Sequence, residues 1–353
     1  MAMRLIVDAM GGDHAPGEIV LGAAMAMQRL PDLSVVFTGD REPIERILQA
    51  NHIDPDRVRI EHTEEVIRME DDPLSILKSK KDSSMARGLS LLRDGEGDAF
   101  LSAGSTGALL VGASSRVYKN RLPGVHRCAL GSVLPFQNPT LLLDSGANPE
   151  VSAAELLQFA HMGKVYMQAI FGIRSPRIGL VNNGGEETKG TPTYVEAHRL
   201  LKEDAALNFV GNVEGRDLPL GACDVAVCDG FTGNVILKLS EGFGKFLSRS
   251  LEKTFKKGLS SNIAYLLVKK DLDAFRAELS YEKHGGAPLL GTARPVIKAH
   301  GASRAEAICN AALYAVKYAA SGAPQKLFRM FARQEREAAE GKAAEEQRET
   351  EEE

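Results

Sequence analysis

Arg4-Leu-Ile-Val7 running straight into Asp8-Ala-Met-Gly-Gly-Asp13 is the stretch that decides the fold. A short apolar run ending in an acidic, glycine-rich loop reads as a strand buried on both faces. The same unit recurs along the chain. Ser34-Val-Val-Phe-Thr38 leads to Gly39-Asp40, and Ala99-Phe-Leu101 leads to Ser102-Ala-Gly-Ser-Thr-Gly107. Thr140-Leu-Leu-Leu143 leads to Asp144-Ser-Gly-Ala-Asn148, and Arg177-Ile-Gly-Leu-Val181 leads to Asn182-Asn-Gly-Gly-Glu186. Asp224-Val-Ala-Val227 leads to Cys228-Asp-Gly-Phe-Thr-Gly-Asn234. Apolar residues spaced by three and four predict helices over 18–30, 84–92, 152–171, 193–202 and 303–318. Pro16, Ser152 (with Glu155 three residues on) and Pro192 supply helix starts. Strands alternating with helices predict an α/β fold, a doubly wound, mostly parallel sheet with helices on both faces.

The 353 residues, 44% hydrophobic and 25% charged, suit one α/β catalytic domain over 1–330, with two lobes around a cleft. Residues 331–353 read as a charged tail, disordered or a frayed helix. Nine acidic and four basic residues over 333–353 give that stretch alone about −5, against −4 for the whole chain. The body is therefore near neutral, which argues against nucleic acid as a partner. The four cysteines, Cys128, Cys223, Cys228 and Cys309, have neither zinc-ligand spacing nor a CxxC pair, and read as small core residues. No metal site is expected. No charged region followed by an apolar one opens the chain, and the uncharged stretch 99–115 is too broken by Gly and Ser to span a bilayer. The expectation is a cytoplasmic protein.

In open parallel sheets, ligands bind beyond the carboxyl ends of the strands. All the polar loops sit at such ends, and the reading places them around one cleft. Gly104-Ser-Thr-Gly107 and Gly230-Phe-Thr-Gly-Asn234 each precede an apolar helical start, where free N–H groups attract anions. Asp8, Asp13, Asp144 and Asp229 stand at strand ends, as helix caps or as site carboxylates. Lys189, in Thr188-Lys-Gly-Thr-Pro192, is placed to reach an anion held by backbone amides. His14, His126 and His284 lie beside Gly- or Pro-rich turns, as hydrogen-bonded turn residues or as bases. A Walker A pattern, a GxGxxG after the first strand, a GxSxG elbow and an HExxH are all missing, which weakens nucleotide, hydrolase and metallopeptidase readings.

Asp8-Ala-Met-Gly-Gly-Asp-His-Ala-Pro16 resembles the opening of the phosphate acyltransferases of bacterial phospholipid synthesis, which take their acyl group from acyl carrier protein. The resemblance continues through Ser102-Ala-Gly-Ser-Thr-Gly-Ala108, Leu143-Asp-Ser-Gly-Ala-Asn148, Asn182-Asn-Gly-Gly-Glu-Glu-Thr-Lys-Gly190, Asp229-Gly-Phe-Thr-Gly-Asn234 and Gly285-Gly-Ala-Pro-Leu-Leu-Gly291. His14 stands where Asn is the commoner family residue. The resemblance implies a fold related to isopropylmalate dehydrogenases and phosphotransacetylases, a homodimer, and no cofactor. It further implies reversible transfer of a long-chain acyl group to inorganic phosphate, the acyl phosphate then passing to a membrane glycerol-3-phosphate acyltransferase. On that basis Lys189, Asn234 and Asp229 are the candidate catalytic residues, with Asn234 and the amides near Thr232 and Gly233 meeting the oxyanion. Ser105, Thr106 and the amide of Gly107 would cradle phosphate, within a binding set that also holds Asp8, Gly11, Gly12, Asp13, Ser102, Gly104 and Asp144. Asp229 or Asp13 would orient the cation or move a proton.

Two other chemistries share the pattern. A phosphotransacetylase working on a short acyl-CoA differs only in the thioester carrier, whereas an NAD-dependent decarboxylating dehydrogenase lacks its fingerprint here. A non-catalytic scaffold is the third reading, through the 251–279 segment of a helical protrusion near 251–284. There Lys253, Lys256, Lys257, Lys269 and Lys270 accompany the apolar run Ile263-Ala-Tyr-Leu-Leu-Val268. That segment reads as a hairpin packed within a dimer, a basic dock for acyl carrier protein, or a tip at an anionic membrane.

Overall fold

The computed structural model describes residues 3–115, 117–255, 258, 265, 267–272 and 285–352, apart from the side chains at 338 and 341–352. Lys256 and Lys257 of the basic segment, and His284, lie outside the described residues.

The opening run forms β1 (Met3–Asp8). Its side chains divide between the two faces as a doubly covered strand requires. Leu5 and Val7 enter one core with α1 (Gly17–Arg29), and Ile6 enters another with α3 (Ser84–Arg93). The predicted strands appear as β2 (Leu33–Gly39), β4 (Ala99–Ser102), β6 (Pro139–Leu143), β7 (Arg177–Asn182) and β9 (Val225–Val227). Five more complete the described sheet: β3 (Val58–His62), β5 (Ala129–Pro135), β8 (Asn208–Glu214), β10 (Ala287–Leu290) and β11 (Val296–Lys298). The remaining helices are α2 (Arg41–Ala50), α4 (Thr106–Ser114), α5 (Ala153–Phe171), α6 (Pro192–Glu203), α7 (Gly230–Phe255), α8 (Ala305–Ala320) and α9 (Ala323–Glu352). The expected cap on α5 is present as a full capping box between Ser152 and Glu155. Within α9, Leu327 and Phe331 are fully buried.

Strand order is β3-β2-β1-β4-β11-β10-β5-β6-β9-β7-β8. The first five strands are mutually parallel, and so are the last four. The seam differs: β10 is antiparallel to both β11 and β5, and β5 is antiparallel to β6. The fold is therefore a mixed α/β sheet with helices on both faces. The two parallel lobes run in opposite directions along the ladder. Normal twist offsets that reversal. At about 20–25° per strand, the five steps from β1 to β6 add up to roughly 100–125°. Twist of that size turns the carboxyl edge of the second lobe back toward that of the first.

Candidate active site

Two nests of polar groups form, one at the carboxyl edge of each lobe. In the first, Asp8 is fully buried and accepts hydrogen bonds from the Ser84 hydroxyl (2.7 Å) and the Ser102 hydroxyl (2.6 Å). Burial pushes its carboxyl above the usual range, and the serine hydrogen bonds oppose this. Gly11 is required here, because a Cβ would overlap both the Asp8 carboxylate and the amide of Gly104. Lys298, at the end of β11, is also buried and donates to the carbonyls of Ala103 and Ala299. Desolvation lowers its ammonium to about 8, with Asp8 and Asp13 pulling the other way. The amide of Asp13 bonds the Gly301 carbonyl (2.8 Å), closing the loop onto β11. Ser105 caps α4 through the amide of Ala108, leaving the N–H groups of Thr106 and Gly107 without partners among the described residues.

The second nest is centred on Asp144. Its Oδ1 accepts from the amides of Leu130, Gly146 and Ala147 at 3.2, 3.0 and 2.9 Å. Its Oδ2 accepts from the backbone and side-chain amides of Asn148, both at 2.7 Å. Five donors fill the acceptor capacity of a carboxylate, so Asp144 holds the turn rather than reaching outward. Burial raises its pKa, opposed chiefly by those amides. Asn148 in turn accepts from the amide of Gly230 (2.7 Å), fixing the first residue of α7 on this turn. A Cβ on Gly233 would overlap the Asp144 carbonyl, so only glycine lets α7 start so close.

Asp229 is the N-terminal cap of α7. Its carboxylate accepts from the Thr232 amide (2.8 Å) and hydroxyl (3.0 Å), and its carbonyl accepts from the Gly233 amide (3.0 Å). The amides of Thr232 and Gly233, which the sequence reading turns toward an oxyanion, are therefore committed inside the cap. In the first turn it is the Phe231 N–H that has no partner among the described residues. Asn234 lies half-buried against Gly146, and its side-chain amide likewise has no partner among them. Asp229 also receives the Tyr194 hydroxyl, which in turn accepts from the Asp229 amide (3.0 Å). Burial and that carboxylate push the Tyr194 phenol well above its ordinary pKa.

Tyr194 ties α6, and the loop before it, to the start of α7. That loop is clamped by Asn182, whose amide donates to the Lys189 carbonyl (3.0 Å), and by Asn212, which donates to the Glu186 carbonyl (2.7 Å). The stem of Lys189 crosses Gly184, and its exposed ammonium forms no ion pair among the described residues. The nest thus collects Asp144, Asp229, Thr232, Gly233, Asn234 and the Lys189 loop. Asp8, Gly11, Gly12, Asp13, Ser102, Gly104, Ser105, Thr106 and Gly107 stand in the other one. The starts of α5, α6 and α7 all emerge from the second lobe's edge, which makes it attractive to anions. All four cysteines are buried, and burial raises Cys128 to about 11 and Cys223 to about 12, so none is a ready nucleophile. Among the described residues, no three His, Cys, Asp or Glu side chains gather as a metal set.

Residues 3–326 match the family model described as "Fatty acid synthesis protein". The "Phosphate acyltransferase" of Thermoanaerobacter pseudethanolicus is 46% identical over 310 residues, 88% of this chain and 91% of that one. This chain belongs to that family. Among solved structures, a phosphotransacetylase from Streptococcus pyogenes superposes with a TM-score of 0.61 at 17% identity, covering 90% of this chain and 94% of its own. A protein from Salmonella typhimurium, described as a 4-hydroxythreonine-4-phosphate dehydrogenase, superposes at 0.51 with 13% identity over 90% and 99%. At such identities the likeness is one of fold, shared by acyl-transferring and dehydrogenase-type proteins.

Sequence reasoning passed over Tyr194, Asn148, Asn182, Ser84 and Lys298 as working parts. Asn148 and Asn182 lie inside the quoted loops, so their signal was present. Tyr194 sits in the first turn of a helix and Lys298 at the end of a three-residue strand, where spacing says nothing about their partners.

Proposed function

We propose that this chain transfers a long-chain acyl group from the thioester of acyl carrier protein to inorganic phosphate, giving acyl phosphate and the free pantetheine thiol. The observation that carries the chemistry is the start of α7. There the Phe231 amide, the Asn234 side-chain amide and the Lys189 ammonium, none with a partner among the described residues, lie at the same edge of the sheet. A phosphate oxygen attacks the thioester carbonyl, the tetrahedral oxyanion collapses, and the C–S bond breaks with the electron pair leaving on sulfur. The thiolate then takes a proton. Phosphate is already nucleophilic near neutral pH, so no covalent enzyme intermediate is needed, and neither a metal nor a cofactor has a step to supply.

Phosphate rests on the free amides of Thr106 and Gly107 at the start of α4, with the Lys189 ammonium neutralising its charge. Asn234 donates to the oxyanion from the start of α7. Asp229 and Tyr194 keep that turn and the Lys189 loop in register, and Asp144 holds the turn beneath. The working unit is a homodimer. Phe231, Val235, Leu239, Phe243 and Phe246 line α7 at helical spacing and are 52–70% exposed in the single chain. A stripe of that size in water calls for a covering surface. Among the described residues no helix is long and apolar enough to cross a membrane. Contact with the inner face of the membrane, or with a membrane glycerol-3-phosphate acyltransferase, is instead peripheral. It involves Lys253, Lys269 and Lys270, which are exposed beside Leu267.

The test is hydroxylamine trapping of acyl phosphate from palmitoyl-acyl carrier protein plus phosphate, with palmitoyl-CoA and acetyl-CoA as parallel donors. Product from the carrier-protein donor, abolished in Lys189→Ala, is the expected result. Product mainly from acetyl-CoA would make the chain a short-chain phosphotransacetylase. No product from any donor would overturn the enzymatic reading altogether.

A further inference from the structure

A cavity of about 910 Å³ lies outside both nests. Its walls are residues 114–115, 119 and 121–126, the side of α5 at Gln158, and the face of α9 at Gln334 and Glu335. Lys119, Arg121 and His126 line it, and all three are exposed. Neither Lys119 nor Arg121 forms an ion pair among the described residues; the Arg121 guanidinium donates only to the His126 carbonyl (3.1 Å). By contrast, neighbouring Arg127 is neutralised by Glu155 at 3.0 Å. The loop is not slack. Gln158 grips it twice, accepting from the His126 amide (3.0 Å) and donating to the Gly124 carbonyl (2.7 Å). Lys119 holds a left-handed backbone (φ 48°), a conformation an L-residue seldom takes, which fixes the direction in which its side chain leaves the loop.

The groove is also close to the chemistry. The amide of Leu130 bonds Asp144, and the carbonyl of Cys128 accepts from Asn148. His126 is four residues from Leu130, so its Cα lies no more than about 14 Å from that point of the nest. The groove thus sets two cations without ion pairs, Lys119 and Arg121, against one carboxylate, Glu335, within one flexible arm's length of the proposed thioester site, which suits a dock for the thing that carries the arm. It is too wide for a lone phosphate.

Resting on the reaction proposed above, we infer that this groove is where the acidic carrier protein docks, with Lys119 and Arg121 as its anchors. The carrier's negative surface meets the two cations, while its pantetheine arm passes over the 126–130 stretch to the start of α7. The basic segment around Lys253, Lys269 and Lys270 is then left for the peripheral contact and takes no part in donor binding. Charges of this kind act on encounter and salt dependence, and leave the chemical step alone.

The test compares Lys119→Glu/Arg121→Glu with Lys253→Glu/Lys269→Glu/Lys270→Glu in the full-length protein. Each is assayed with palmitoyl-acyl carrier protein and with palmitoyl-pantetheine, which has the thioester but no carrier surface. The groove variant should raise the KM for the carrier donor about tenfold or more, flatten its salt dependence, and leave palmitoyl-pantetheine turnover within twofold of wild type. The second variant should change neither donor. An unchanged carrier KM in the groove variant overturns the proposal, as does a rise confined to the second variant. Equal loss with both donors overturns it too, because the residues would then serve the fold or the chemistry. A wild-type protein inactive with both donors would instead strike down the reaction, which separates the two failures.

Discussion

In the first lobe, the buried carboxylate of Asp8 is met by side chains, two serine hydroxyls with the Lys298 ammonium beyond them. In the second, the buried carboxylate of Asp144 is met by amides, four from the backbone and one from Asn148. Both close a glycine-rich turn at a strand end, yet the consequences differ. Near the side-chain nest lies a buried cation, Lys298, whose ammonium is taken up by the carbonyls of Ala103 and Ala299. Using the backbone needs no cation, so Lys189 and Asn234 in the second nest remain open to a ligand. The first nest is thus a lock that leaves two amides of α4 facing out, and the second is a frame around Asn234 and the Lys189 loop.

The sharpest way to break this comparison is Asp8→Ala. It leaves the buried hydroxyls of Ser84 and Ser102 without their acceptor, and each buried polar group left unpaired costs about 1–3 kcal/mol. Urea unfolding should show that loss. A loss under about 1 kcal/mol would mean that the first nest is no lock. Asn234→Ala should do the opposite, leaving the unfolding midpoint unchanged while lowering kcat by about 10²–10³, the cost of one oxyanion donor. A loss below tenfold removes Asn234 from that role.

Lys298 adds a pH test. Its folded pKa, about 8, lies below its ordinary 10.5, so between these values the unfolded chain holds a proton that the folded chain has released. Raising pH across that window favours the folded state. The contribution is fully present above pH 10.5 and lost as pH falls through 8, and amounts to on the order of 3 kcal/mol. Wild type should gain stability over Lys298→Met as pH rises through the window, and parallel curves would place the ammonium in water. The smallest effect is expected of Tyr194→Phe. It unpairs the Asp229 amide and removes a donor from its carboxylate, at about 1–3 kcal/mol. If that loosens the Lys189 loop as proposed, the KM for phosphate rises and the KM for the thioester does not.

Much of this was legible in the chain. Runs such as Leu5-Ile-Val7 and Leu141-Leu-Leu143 are apolar enough that only a strand covered on both faces accounts for them, and their loops were located correctly. The half-exposed strands β3 and β8 carry weak patterns, and β10 and β11 are too short to show one. Strand direction was hidden for another reason. The β5–β6 hairpin that begins the reversal is set by pairing with β10, from a distant part of the chain, and no local spacing records that. The same limit applies inside the site. Asp229 was read as a cap or a catalytic group, and only its contacts show that capping absorbs the amides of Thr232 and Gly233.

The 26 residues of α7 make a rod about 39 Å long. Gly230 and Gly233 are its only fully buried positions, and Ile236 and Leu237 pack partly against the second lobe just beyond. Mechanically this is a cantilever clamped at its root. Whatever load is applied near Lys253, by a membrane or a partner, acts on the free end. The root, which carries Phe231 and Asn234, lies nearest the clamp and is displaced least. On the proposed function, attachment can vary at one end of the helix while the alignment of the acyl transfer is kept at the other.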